Sequence, residues 1–96
     1  MFFVYVIKSV EKKFQYIGHT ENIQKRIKEH NTGKTKSTKF YKPFELIYLE
    51  VFKTRNEAII REKYLKSGIG REFLKEKLKN ALVVQLDRIP DFGSGG

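Results

Sequence analysis

The sequence predicts a small α/β domain of the α+β kind, a three-stranded, mainly antiparallel sheet flanked by helices in the order β-β-α-β-α-α. Three observations carry this expectation. Two short apolar runs near the start are separated by a polar turn, as in a β-hairpin. Three later segments space their apolar residues as helices do. Between the first and second of these lies one more run, introduced by Pro43, whose residues alternate.

The elements follow in order. Phe2 to Lys8 is β-branched and aromatic with almost no polar interruption, which suits a central strand buried on both faces. Alternation places Phe3, Tyr5 and Ile7 on one of those faces. Ser9 to Lys13 is turn-like, and Phe14 to Gly18 is the second strand. Thr20 is the expected cap of a first helix, with Glu21 in its first turn, Ile23, Ile27 and His30 at helical spacing, and Gly33 as its stop. A basic loop, Lys34 to Lys42, leads to the third strand, Phe44 to Phe52. Thr54-Arg55-Asn56-Glu57 reads as a capping box, so a second helix starts there and runs to Gly68. Gly70 is expected to separate it from a third helix, Arg71 to Leu82, with Phe73, Leu74 and Leu78 as its apolar stripe. The domain is thus expected over residues 1–82, and residues 83–96, ending Gly93-Ser94-Gly95-Gly96, as a mobile tail.

Composition narrows the function. Ninety-six residues fit one domain, and 40% apolar content is enough for a core. No apolar run approaches the roughly 18 residues needed to cross a bilayer. Cysteine is absent, which removes disulfides and thiolate metal sites and agrees with a cytoplasmic setting. The start of the chain lacks the features of a secretory signal. The formal charge of +9 favours a phosphate backbone as partner. That charge is concentrated: Lys25 to Lys42 holds seven Lys or Arg residues and one acid, Glu29. Phe40 and Tyr41 lie within it, either stacking on bases or belonging to the core.

Several residues are placed for chemistry. On the second helix, Glu62 shares a face with Ala58, Ile59 and Leu65. A carboxylate there needs a metal or an ion pair, with Arg26, Lys63 or another base as the structural alternative. On the first helix Arg26 and His30 stand four residues apart on the edge of the inward face. Arginine grips phosphate through paired hydrogen bonds, and histidine moves protons near neutral pH. Tyr5 and Tyr16 sit on the hairpin, where ordinary core packing is the competing role. His19 follows Tyr16-Ile17-Gly18 at the turn into the first helix.

Together these residues resemble the GIY-YIG nuclease superfamily, especially its small stand-alone bacterial members, which look like the N-terminal nuclease domain of the excinuclease UvrC. Phe3-Val4-Tyr5 takes the place of the first half-motif, with Phe3 where the family has Gly, and Tyr16-Ile17-Gly18 matches the second in full. Arg26, ten residues after Tyr16, takes the family's arginine position, and His30 its His or Tyr position. Ala58 to Lys66 fits the helix that bears the metal-binding glutamate, which falls on Glu62. For the downstream Asn of several members, Ser67 and Asn80 are the nearest positions. The likeness covers about residues 2 to 80.

The resemblance implies a divalent-metal-dependent endonuclease acting on DNA rather than RNA, in repair or recombination. It implies one Mg²⁺ or Mn²⁺ anchored by Glu62, with Arg26 stabilising the phosphorane. Tyr5 or Tyr16 is the implied general base, with His30 competing and His19 supplying positive charge. Lys25, Lys28, Lys34, Lys36, Lys39 and Lys42 would track the nucleic-acid backbone without reading bases. A chain of this size implies structure-selective or weakly selective cleavage. The alternative is a nucleic-acid-binding module of the same fold without turnover.

Overall fold

The computed structural model describes residues 1–79 together with 83 and 84. Three strands, β1 (Phe2–Ser9), β2 (Gln15–Thr20) and β3 (Phe44–Phe52), form one antiparallel sheet in the order β2-β1-β3. The most apolar strand is therefore the central one. Helix α1 (Ile23–Asn31) follows the hairpin, and α2 (Arg55–Lys66) and α3 (Gly68–Lys77) follow β3. The α+β class and the element order are those expected from the sequence.

Strand alternation builds two cores. Phe3, Tyr5 and Ile7 project to one side and pack with Ile23 and Ile27 of α1 and with Phe44 and Leu46 of β3. Val4 and Val6 project to the other side and pack with Ala58, Leu65 and Leu74. The sheet is thus sandwiched, with α1 on one face and α2 and α3 on the other. Of the expected third-helix stripe, Leu74 is buried and Phe73 and Leu78 lie against the same core.

Local signals explain most boundaries. Thr54 and Glu57 form the capping box in full, and Gly33 leaves α1 with φ +79, a region open mainly to glycine. Three expectations are corrected. The cap of α1 is Asn22, whose side chain accepts from the Lys25 N–H; Thr20 instead ends β2, because its backbone pairs opposite Phe3. Glu21 consequently lies outside the helix and pairs with Arg55 at 3.6 Å. Gly70 does not separate two helices but sits within α3, which starts at Gly68. Ser67 ends α2 and caps α3 at once, its hydroxyl accepting from the Gly70 N–H. Helix α3 ends at Lys77, with Leu78 as its C-cap and Lys79 in a turn, so it stops short of the expected Leu82; residues 80–82 lie outside those described.

Arg61 locks α2 in rotation. Its guanidinium grips Glu50 of β3 through two hydrogen bonds of 2.7 and 2.9 Å, and it lies over the rings of Tyr64 and Phe73, each 4.9 Å away. The neighbouring Glu62 is thereby turned towards β2. Val84, expected in the tail, donates its N–H to the Leu46 carbonyl at 2.8 Å. The remainder of the expected tail lies outside the described residues. Among the described residues, no helix is long and apolar enough to cross a membrane.

Candidate active site

The hairpin register decides which side chains face which layer. Directly paired residues in antiparallel strands point to the same face. Tyr5 pairs with Gly18 and Ile7 with Tyr16, so both phenols face the α1 side; Val4 pairs with His19, so that imidazole faces α2. The two phenol rings lie 6.3 Å apart.

An open cavity of about 540 Å³ wraps over the β2 edge and joins the two sides. Tyr5, Tyr16 and Arg26 line it from one side of the sheet, His19 and Glu62 from the other, and Lys25 stands at its rim. Gly18 lies at the crossing. A Cβ there would stand 2.6 Å from the Tyr5 hydroxyl, so only glycine lets the phenol lie against the β2 backbone. Gly18→Ala is expected to displace the phenol from its partner and to destabilise the fold by about 1–3 kcal/mol. A thermal melt and the Tyr5 hydroxyl resonance check this; an unchanged melt and hydroxyl signal would sink it.

Glu62 is half-buried and doubly held. One carboxylate oxygen meets His19 Nδ1 at 2.6 Å and the other accepts from Lys66 Nζ at 2.7 Å. Burial opposes ionisation, but the hydrogen bonds from Lys66 and His19 outweigh it and hold the carboxyl below its ordinary value. Of the structural partners expected from the sequence, neither Arg26 nor Lys63 is used; other bases, His19 and Lys66, take the place. Arg26 is part-exposed, pairs weakly with Glu29 at 3.4 Å, and lines the cavity beside the Tyr5 hydroxyl, on which it also acts.

Tyr5 is the buried floor. Its hydroxyl meets His30 Nε2 at 2.9 Å, and His30 Nδ1 meets Thr38 Oγ1 at 2.8 Å. The Thr38 hydroxyl also reaches the Thr35 carbonyl at 3.4 Å. Desolvation, with the Tyr16 phenol adding to it, pushes the Tyr5 pKa well above the ordinary phenol value, although Arg26 pulls the other way. Burial and then Arg26 lower the pKa of His30, so it stays neutral at pH 7. His30 is fully buried and stands behind Tyr5, not on the cavity wall.

The basic loop is outside the cavity. Lys28, Lys34, Lys36, Lys39 and Lys42 are exposed, as is Lys25. The two loop aromatics divide: Tyr41 stacks face to face on Phe14 at 3.8 Å, whereas Phe40 is 71% exposed with the Lys12 ammonium 3.6 Å from its ring centre. Ser67 is spent on capping and does not line the cavity; Asn80 lies outside the described residues.

Sequence reasoning misses Lys66 and Thr38. The spacing of Glu62 and Lys66, four apart on one helix, is a usable signal. Thr38, fully buried in an irregular loop, offers none.

Comparison with known proteins shows the family. The model of the GIY-YIG catalytic domain matches residues 1–75. UPF0213 protein YazA of Bacillus subtilis is 45% identical over 65 residues, which is 67% of this chain and 65% of YazA, just under two thirds of its length. A UPF0213 protein of Staphylococcus saprophyticus is 36% identical over 74 residues, 76% of this chain and 89% of the relative. One of Clostridium perfringens is 42% identical over 67 residues, 69% and 71% of the two chains. The chain belongs to the GIY-YIG family of nuclease domains, in the company of the small UPF0213 proteins.

Proposed function

We propose that this chain is a divalent-metal-dependent endonuclease that hydrolyses phosphodiester bonds in DNA, serving repair or recombination. The observation that carries the reading is the shared cavity: a carboxylate held ionised, Glu62, faces the same space as Tyr5, Tyr16 and Arg26, though it comes from the opposite layer.

The donor set fits one hard cation. Among the described residues no three acids or histidines gather into a cage. A carboxylate has lone pairs beyond those that meet His19 and Lys66, and the cavity leaves room for waters. Glu62 is thus the residue that would hold Mg²⁺ or Mn²⁺, as a mostly hydrated ion. When bound, such an ion supplies positive charge to the phosphate at the transition state.

The chain's own groups account for the attack; as the new P–O bond forms and the scissile P–O bond breaks, the leaving oxygen takes its proton from solvent in the open cavity. Arg26 donates to a non-bridging phosphate oxygen and opposes the charge that grows there. Tyr5 takes the proton of the attacking water and passes its own to His30 Nε2. Its raised pKa rules out a standing phenolate at neutral pH, so the two proton movements accompany each other. Tyr16 orders the water or phosphate from the neighbouring position. His19 steadies the Glu62 carboxylate.

Lys25, Lys28, Lys34, Lys36, Lys39 and Lys42 hold the backbone, and Phe40 is the aromatic free to stack on an unpaired base. Replacing Lys39 and Lys42 by Ala should lower the salt slope of DNA binding by about 2, whereas Phe40→Ala should weaken single-strand binding with the slope kept. Titrations at several salt concentrations check this, and equal slopes for all variants would remove the loop from the interface.

The deciding test is a nicking assay on supercoiled and branched DNA, with RNA in parallel, in Mg²⁺ or Mn²⁺ and in chelator. Nicking that needs the metal supports the proposal. Salt-dependent binding without nicking in any metal replaces it with a binding module.

A further inference from the structure

The hydrogen bonds behind Tyr5 have a direction, and Thr38 sets it. A threonine hydroxyl has one proton to give. The Thr35 carbonyl can only accept, so a Thr38 hydroxyl that donates to it at 3.4 Å offers a lone pair to His30 Nδ1 at 2.8 Å. His30 is neutral and therefore carries one ring proton, which this lone pair draws to Nδ1. Its Nε2 is then a bare acceptor facing the Tyr5 hydroxyl. The phenol must donate inward, and its own lone pairs are turned to Arg26 and the cavity.

We propose that Thr38 is a positioning residue that fixes the Nδ1–H tautomer of His30 and thereby makes Tyr5 an acceptor towards the cavity. Its catalytic consequence rests on reading Tyr5 as the group that takes the proton from water. With the other tautomer, Nε2–H would donate to the phenol oxygen. The phenol proton would then point into the cavity, where it would meet the attacking water as a donor and could not relieve it of a proton.

Burial makes the arrangement specific. Thr38 and His30 are both fully buried, so no bulk water can substitute for either partner. Thr38 also immediately precedes the short 3₁₀ turn Lys39–Tyr41, so the residue that sets the tautomer belongs to the basic loop itself.

Two variants and two readouts test this. Thr38→Val keeps the shape and removes the acceptor; Thr38→Ser keeps the acceptor and removes a methyl group. Long-range proton–nitrogen NMR on the folded protein should show Nδ1–H for His30 in the wild type and in Thr38→Ser, and a move to Nε2–H in Thr38→Val. Nicking turnover should fall at least tenfold in Thr38→Val with KM little changed, and return in Thr38→Ser. An Nε2–H wild type, or a valine variant that keeps Nδ1–H, overturns the proposal. So does a Thr38→Ser protein that folds with the wild-type tautomer but remains as slow as the valine variant. If the tautomers behave as expected and the wild type does not nick, the assignment to Thr38 is supported and the hydrolytic reading fails.

Discussion

Glu62→Gln is expected to reduce metal-dependent nicking roughly a thousandfold, the rate equivalent of about 4 kcal/mol of lost transition-state stabilisation. The amide keeps the size and shape of the carboxylate but loses its charge, which is the property a divalent ion needs. The fold should tolerate the change. An amide oxygen still accepts from Lys66, and its NH₂ can face His19 once that imidazole presents a lone pair. A thermal melt within a few degrees of wild type, beside lost nicking, separates chemistry from unfolding. Nicking that survives in the purified variant would remove Glu62 from the site, and the cavity would need another explanation.

The second large effect concerns stability. Gly70→Ala should cost about 3 kcal/mol or more and lower Tm by roughly 15 °C, given the usual few degrees per kcal/mol in a domain of this size. The Cβ would lie 1.8 Å from the Tyr64 carbonyl oxygen and 2.6 Å from the Leu65 Cα, both backbone atoms. No rotamer relieves such a contact, so α3 must move away from α2. Leu74 and Leu65 share a core across that junction, and separating them opens it. Circular dichroism through a melt measures the loss. A Tm within a few degrees of wild type would mean that the junction yields easily, contrary to the close approach described.

These residues also show what a sequence can disclose. The nearly unbroken apolar run from Phe2 to Lys8 is enough to place β1 in the centre, and alternation along it sends Tyr5 and Val4 to opposite layers, because strand periodicity is a property of the backbone. The capping box at Thr54 announces α2 for a similarly local reason. Gly70 misleads because the rule that glycine ends helices concerns propensity. This glycine answers to a neighbouring chain segment, and no local pattern reports that. Thr20 misleads as a cap for a related reason: Asn22 and Thr20 are both good caps, and the pairing of Thr20 with Phe3 settles which is used. In the candidate site, the two tyrosines, Arg26 and Glu62 stand out by motif spacing. The order of contact within the site does not. Position along a helix puts His30 beside the others, and only the packing of the first core shows that it touches the cavity through Tyr5.

The cavity that crosses the β2 edge has a consequence for when the chain can act. Its walls come from both outer layers, and Glu62, the lining carboxylate contributed by α2, comes late in the chain. A chain with either helical layer undocked has half a pocket and no way to gather charge around a phosphate. On the hydrolytic reading, nascent or partly unfolded copies are therefore harmless to the genome, and assembly of the sandwich itself serves as the licence to cut.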